Sequence, residues 1–400
     1  MSLAVRQATT DGRDPTGGTP PDAVRIAAST AGDPAAAVAE IAAAIGPTDD
    51  LAFLLVFASS RYDADALVAA LAETFRGLPH AGCSTAGEIA PAGITEHSLV
   101  AVAFPADAFS VVCAPLERLS AFGIEAGAEL VAGLRRRLVA ERDDDCRDVF
   151  AVTLLDGLSQ REEQILSALQ RALDDIPLVG GSSGDDFAFQ DTFAFCDGRL
   201  LRDAGLLLLM RSRRPFRVFK SDHFEPTATK MVVTACDPDA RVVFELDAEP
   251  ARTAFAAAAD LDPVDLDRLD FAAHPLVVRV GGEYYCRSIQ KINADGSLSF
   301  YCAIDTGVVL TLARTRDMVE CLAETLAGLD ADLGGLDFVV GFDCVHRRLE
   351  AESRQVLGRI SELFRRWHVV GFNTYGEQFD AMHLNHTFTG IAFGRPRSEA

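Results

Sequence analysis

"RWHVVGFNTYGEQF", residues 366–379, runs a short apolar strand into a glycine turn that closes on a carboxylate. Nearly the same phrase stands twice earlier, as "GLPHAGCSTAGE" at 77–88 and "DIPLVGGSSGD" at 175–185. Each time an apolar stretch meets Gly, then Ser, Thr or Asn, then a second Gly followed at once by Glu or Asp. What surrounds these turns repeats as well. Before the first lie the strand "AVRIAAS", a helix opened by Asp33 and Pro34 and closed by Gly46 and Pro47, the strand "LAFLLVFAS" and a helix over 64–76. After it comes the strand "SLVAVAF".

The second copy reads as "FSVVCAPL", a helix over 122–140, "VFAVTLLD", a helix opened by a Ser159/Glu162 capping box, "IPLVG", the turn and "TFAFC". The third reads as "GVVLTLA", a helix over 315–327, "DFVVGFD", a helix over 350–366, "HVVGF", the turn and "TFTGIAF". Strands without polar alternation are covered on both faces. Strands alternating with helices therefore predict an α/β fold of duplicated strand–helix–strand–helix–strand–turn–strand units in layered, mostly parallel sheets. A strand-rich segment, 198–306, separates the second and third copies. It carries hairpin signals in "FCDGRLL", "ACDPDARVV" and "NADGS" and a helical stretch over 250–270. The expected division is a disordered tail over 1–21, one domain over 22–247 and another over 248–394.

Composition narrows the function. The 59 acids against 37 bases leave a net charge of −22, which argues against a phosphate-backbone partner. No apolar run approaches the roughly 18 residues of a membrane span, so no membrane insertion is expected. Nine cysteines, none in CxxC spacing, fit reduced thiols and a cytoplasmic location.

The glycine turns are the first site candidates, because open α/β sheets bind ligands where their strands end. Ser84, Thr85 and Glu88, then Ser182, Ser183 and Asp185, then Asn373, Thr374, Tyr375, Gly376 and Glu377 offer hydroxyls, backbone N–H groups and an acid each. Each acid faces either a ligand amine or hydroxyl, or the N–H groups of its own turn. Tyr375 sits at the tip of the third turn, where an aromatic ring can cover a pocket. "GGSSG" at 180–184 matches G-x-S-x-G, but the following "DDFAFQDTFAF" reads as loop and strand rather than the helix a nucleophile elbow needs. No nucleophile–base pair or metal triad emerges from spacing, so no enzyme is expected. His383 and His386 in "MHLNH" point to opposite faces of a strand and do not suggest a shared zinc. A single imidazole in an apolar slot would still suffice for a haem, and without CxxCH that haem would be a non-covalent haem b.

Four segments resemble the FIST family: "IPLVGGSSGDD" with "FAFCDGRL", "FEPTATKMVVTACDPDARVVFELDAEPA", "HPLVVRVGGEYYCRSIQKINADGSLSFYCAI" and "VVGFNTYGEQF". The resemblance covers about 22–394 and implies a FIST N-terminal domain over 22–247 and a FIST C-terminal domain over 248–394. It also implies ligand sensing in bacterial signal transduction. The ending "GFNTYGEQFDAMHLNHTFTGIAFG" is similar to stand-alone FIST haem proteins that sense nitric oxide. Such proteins control a partner histidine kinase or cyclic-di-GMP enzyme. On that reading one of His223, His346, His383 and His386 holds the haem iron. The alternative is a sensor of amino acids or another small metabolite without haem, and a homo-oligomer is compatible with either.

Overall fold

The computed structural model describes residues 6–7, 23–141, 149–262, 266, 271 and 274–396. The tail over 1–21 lies outside them except for Arg6–Gln7, as do residues 263–265 and 267–270 of the stretch expected to be helical over 250–270. The chain divides into two compact units. Unit 1 takes residues up to Lys220, Ala323–Met382 and Phe388 onward; unit 2 takes Ser221–Leu322 and His383–Thr387.

In unit 1 the first copy runs β1 (Arg6–Gln7), β2 (Arg25–Ser29), α1 (Pro34–Ile45), β3 (Leu51–Ser59), α2 (Ala64–Thr74), β4 (His80–Thr85), β5 (Glu88–Ala90), β6 (Gly93–Thr95) and β7 (Leu99–Pro105). Its boundaries are chemical. Asp33 accepts from the Ala36 N–H at 2.8 Å, Pro34 needs no donor partner in the first turn, and Gly46 stops α1 at φ 76°. The second copy runs β8 (Phe109–Glu117), α3 (Ile124–Glu141), β9 (Val149–Leu155), α4 (Glu162–Leu173), β10 (Leu178–Ser182), β11 (Ala194–Cys196), β12 (Arg199–Leu201) and β13 (Ala204–Ser212). No side chain caps α4. Ser159 instead donates to the Asp156 carbonyl at 2.8 Å, so the expected capping box is a turn.

After β14 (Phe216–Ser221) the chain enters unit 2. There lie β15 (Phe224–Asp237), β16 (Val242–Leu246), β17 (Glu249–Pro250), α5 (Ala251–Ala258), β18 (Leu276–Val280), β19 (Glu283–Arg287), β20 (Ile289–Ile292), β21 (Leu298–Phe300) and β22 (Val309–Thr315). The sequence boundary at 248 falls between β16 and β17. These eight strands make one antiparallel sheet with β19-β18-β22-β15-β16-β21-β20 along its path and β17 beside β16. Phe255, Leu276, Leu298, Phe300 and Leu310 are among its buried core. The chain returns to unit 1 within α6 (Met318–Leu333). The third copy is completed by β23 (Leu336–Cys344), α7 (Val345–Ser353), α8 (Leu357–Arg366), β24 (Val369–Thr374), β25 (Glu377–Phe379), β26 (Met382–Leu384) and β27 (Phe388–Gly394).

The sheets of unit 1 repeat one plan. The first is ordered β1-β2-β7-β3-β4-β11-β12, the second β8-β13-β9-β10-β25-β26, and the third β14-β27-β23-β24-β5-β6. In each, a copy's first, last, second and third strands lie in that order, and a two-stranded hairpin from another copy completes the edge. Each sheet is mixed and holds a parallel pair: β3–β4, β9–β10 and β23–β24. That pair is the one joined by a helical crossover; the strand after the glycine turn returns antiparallel.

Two strand readings change as a result. "GVVLTLA" forms β22 in unit 2, and β14 takes its expected place beside β27. "TFAFC" becomes part of an exchanged hairpin, and β13 is the closing strand of the second copy. The helix read over 350–366 is two helices, because Gln355 sits at φ 58° between them. One face of all three sheets meets a common apolar core. Within it Phe57 packs on Phe342 and Phe372, while Phe393 touches Phe109, Phe150 and Phe338. Helices cover the outer faces, α1 and α2 through Ile41, Leu67 and Leu71, and α3 and α4 through Leu134, Ile165 and Leu169. Burial on both faces is why these strands carry no polar alternation.

Candidate functional site

The first glycine of each turn is required by strand spacing. Gly82, Gly180 and Gly371 pair with Val56, Thr153 and Gly341. A Cβ at any of them would overlap the carbonyl of that partner strand.

The three turn tips meet in unit 1 and interlock through their main chains. Ala86 N donates to Asn373 O at 3.1 Å and Asn373 N to Gly87 O at 2.8 Å. Ser182 N donates to Gly376 O at 2.8 Å, Tyr375 N to Ser182 O at 3.1 Å and Gly184 N to Ser84 O at 3.2 Å. Ser84, Thr85, Glu88, Ser182, Ser183, Asp185, Asn373, Thr374, Tyr375, Gly376 and Glu377 are all buried.

Their polar groups serve one another. Thr85 donates to Glu88 and Thr374 to Glu377, each closing its own turn. Glu88 also accepts from Ser98 N at 2.9 Å and Ser98 Oγ at 2.6 Å. Burial pushes its carboxyl up to about 7, against the pull of these donors. Asp185 accepts from the N–H groups of Phe189, Gln190 and Asp191 at 2.9, 2.6 and 2.9 Å and from the Tyr375 hydroxyl at 2.5 Å. Tyr375 stacks on Phe189 with ring centroids 4.8 Å apart. No helix follows Ser182 before β11, so the nucleophile elbow is absent.

Of the four histidines, His223, His383 and His386 group in unit 2 and His346 lies on α7 in unit 1. His223, His383 and His386 are buried; His386 packs 6.2 Å from the His223 ring and 5.6 Å from Phe224. Among the described residues, no group of three or more His, Cys, Asp or Glu is arranged to hold a metal ion.

Unit 2 holds a different kind of place. A pocket of about 430 Å³ opens beside the β18–β19 hairpin, bounded by β15, β22 and the loop over 303–308. The hairpin turns on Gly281 and Gly282, at φ 61° and 97°, which sets Arg279 opposite Tyr284 and Leu276 opposite Arg287. Lys230 of β15 stands opposite Thr311 of β22. Lys230, Arg279 and Arg287 line the pocket against one carboxylate, Asp305, with Tyr284 and Thr311 beside them and Val278, Val280, Ile304 and Val309 as apolar wall.

Among the described residues, none of these cations makes an ion pair with an acid. Among the described residues, Arg287 donates only to the main-chain carbonyls of Cys286 at 3.0 Å and His383 at 3.3 Å, although it is 9% exposed. Arg279 donates to Gly282 O at 3.3 Å and lies 5.7 Å over the Tyr284 ring. Among the described residues these three cations have no carboxylate partner, in a chain of net charge −22, and a buried guanidinium in that setting suits an anion. Sequence reading passed over this pocket because its residues come from separate strands between 230 and 311 and form no local motif. The one local signal was "RVGGEYYCR", a glycine hairpin with an arginine on each arm.

A three-copy α/β unit joined to a strand-rich unit with a ligand-sized, cation-lined pocket defines a binding protein. Its family follows from comparison. The FIST N domain matches residues 52–249 and the FIST C domain residues 254–380. The chain belongs to the FIST family of sensory, ligand-binding proteins of signal transduction. It is also 24% identical over 350 residues to an uncharacterized protein of Methanocaldococcus jannaschii, covering 78% of this chain and 67% of that one. No helix among the described residues is long and apolar enough to cross a membrane.

Proposed function

We propose that this FIST protein senses a small organic anion, of the size and charge of an acidic amino acid or dicarboxylate, in the pocket of unit 2. The observation that carries the reading is Arg287, a buried guanidinium that lines a 430 Å³ cavity and, among the described residues, makes no ion pair. Guanidinium groups bind carboxylates bidentately. Lys230 and Arg279 add charge near the same space, Asp305 offers an acceptor for an ammonium, and the valines suit a short apolar body. The glycine turns, by contrast, have an architectural role, since their carboxylates and hydroxyls are directed at one another. Output passes through a partner, and the resemblance to stand-alone FIST sensors supports a histidine kinase or cyclic-di-GMP enzyme of the cytoplasm in that role.

The test is a thermal-shift and calorimetric screen with L-glutamate, L-aspartate, succinate and inorganic phosphate. A ligand at 100 times its dissociation constant stabilises by about 2.7 kcal/mol. Binding that disappears in Arg287→Ala supports the proposal. An absence of binding by every anion, or an affinity untouched by that substitution, ends it.

A second reading, non-covalent haem b sensing nitric oxide, is favoured by the gathering of His223, His383 and His386 in unit 2. None of them lines the pocket, so haem would need its own space, where one of these imidazoles would hold it and the haem would supply the gas-binding chemistry. A Soret band after purification from haem-supplied cells, shifting with nitric oxide and lost in one of the three His→Ala variants, is the expected result. A colourless protein unmoved by haemin removes it.

A further inference from the structure

Outside the pocket, two sulfurs in unit 1 stand in contact. Cys113 on β8 and Cys196 on β11 come from different sheets, yet their Sγ atoms are 3.7 Å apart. Both are thiols, and they keep 7% and 8% of their surface, so the site lies at the margin of the core rather than within it. Cys83 is fully buried, and burial alone raises its thiol far above the ordinary range.

The surroundings of the pair are polar. The Asp197 carboxylate lies 3.8 Å from Cys196 Sγ, and its other oxygen is held by the His80 N–H at 3.0 Å. Arg137 of α3 donates to the Cys113 carbonyl at 2.9 Å, placing a positive charge beside both sulfurs. Contact with the Cys113 thiol pulls Cys196 below its ordinary value, while the same contact and burial push Cys113 up. The Asp197 carboxylate lies within reach of the Cys196 thiol, so Cys196 is the sulfur placed to give up its proton and Cys113 the one placed to resolve it.

We propose that Cys113 and Cys196 form an oxidisable dithiol site that takes hydrogen peroxide and closes to a disulfide joining the first and second sheets of unit 1. Cys196 loses its proton to Asp197, and its thiolate attacks one peroxide oxygen. The O–O bond breaks, hydroxide leaves as water after taking a proton, and Cys196 becomes a sulfenic acid. Cys113 sulfur then attacks the sulfenic sulfur, the S–O bond breaks and a second water leaves. Two thiols are oxidised and one peroxide is reduced to two waters. Disulfide bonding needs sulfurs at about 2.0 Å, so the two side chains must close by under 2 Å from where they stand.

The experiment treats the reduced full chain with hydrogen peroxide, then denatures, alkylates and weighs it. The expected product accepts two fewer alkyl groups than the nine available thiols and yields a Cys113–Cys196 cross-linked peptide. Dithiothreitol restores all nine. Cys113→Ser traps Cys196 as a dimedone-reactive sulfenic acid, and Cys196→Ser loses no thiols. Should either variant fail to fold, the cross-linked peptide in the wild-type chain still decides. Full alkylation after peroxide, a disulfide between other cysteines, or unchanged thiol loss in Cys196→Ser overturns the proposal.

Discussion

Replacing Glu88 by Gln separates the glycine turn's architecture from its charge. In the folded chain burial lifts this carboxyl from about 4.5 to about 7. A shift of about 2.5 units corresponds to about 3 kcal/mol of differential stability, at about 1.4 kcal/mol per unit. The folded state holds this proton more tightly than the unfolded chain. The contribution is therefore fully present below pH 4.5 and is lost as pH rises through 7. Gln carries no charge at any pH and still accepts from Ser98 with its oxygen. At pH 4.5 it costs about 1 kcal/mol for imperfect hydrogen bonding. Relative to wild type it should then gain about 3 kcal/mol by pH 8, becoming the more stable protein. Urea unfolding at several pH values, followed through the fluorescence of Trp367, the chain's one tryptophan, reports on unit 1. A wild-type–variant difference that stays constant from pH 4.5 to 8 would refute the reasoning.

Other outcomes follow from the same structure. Arg347 and Asp343 form a buried ion pair at 2.8 Å, so Arg347→Met should cost about 3–5 kcal/mol in urea unfolding, and Arg347→Met with Asp343→Leu markedly less. Gly371→Ala places a methyl group against the Gly341 carbonyl and should lower stability by several kcal/mol, whereas Ala at the open helix position Gly358 should not. Tyr375→Phe removes the hydroxyl that donates to Asp185 and accepts from Phe187 N at 2.7 Å. It should cost about 1–3 kcal/mol while leaving anion binding to unit 2 unchanged, as calorimetry would record.

The repeated copies were legible because strands such as "LAFLLVFAS" and "DFVVGFD" are apolar without interruption and their turns share a glycine grammar. The sheet order was not. The hairpins β5–β6, β11–β12 and β25–β26 consist of three-residue strands, too short for any periodicity, and their partners lie far away in sequence. "GVVLTLA" misled because a strand's composition records that it is buried, not which sheet buries it. Around the turns the sequence shows polar residue types, but it cannot tell whether a buried acid meets a ligand or the hydroxyl three residues before it. The pocket escaped for the opposite reason, since cations brought together by strand pairing have no spacing to recognise.

The traded hairpins of unit 1 carry a consequence for how such a chain can be cut, made or inherited. A lone repeat would end in a raw β-edge and carry a short ribbon with nowhere to lie, so an isolated fragment should aggregate or associate in threes. Three identical polypeptides passing their ribbons around a circle would complete every sheet, and the present chain has that closed circuit with its links joined end to end. Folding must then be cooperative across the whole circuit, because no sheet is finished until a distant part of the chain arrives. Extra sequence is best tolerated where it leaves the circuit intact, as between β14 and α6, where the chain has room for an entire second unit.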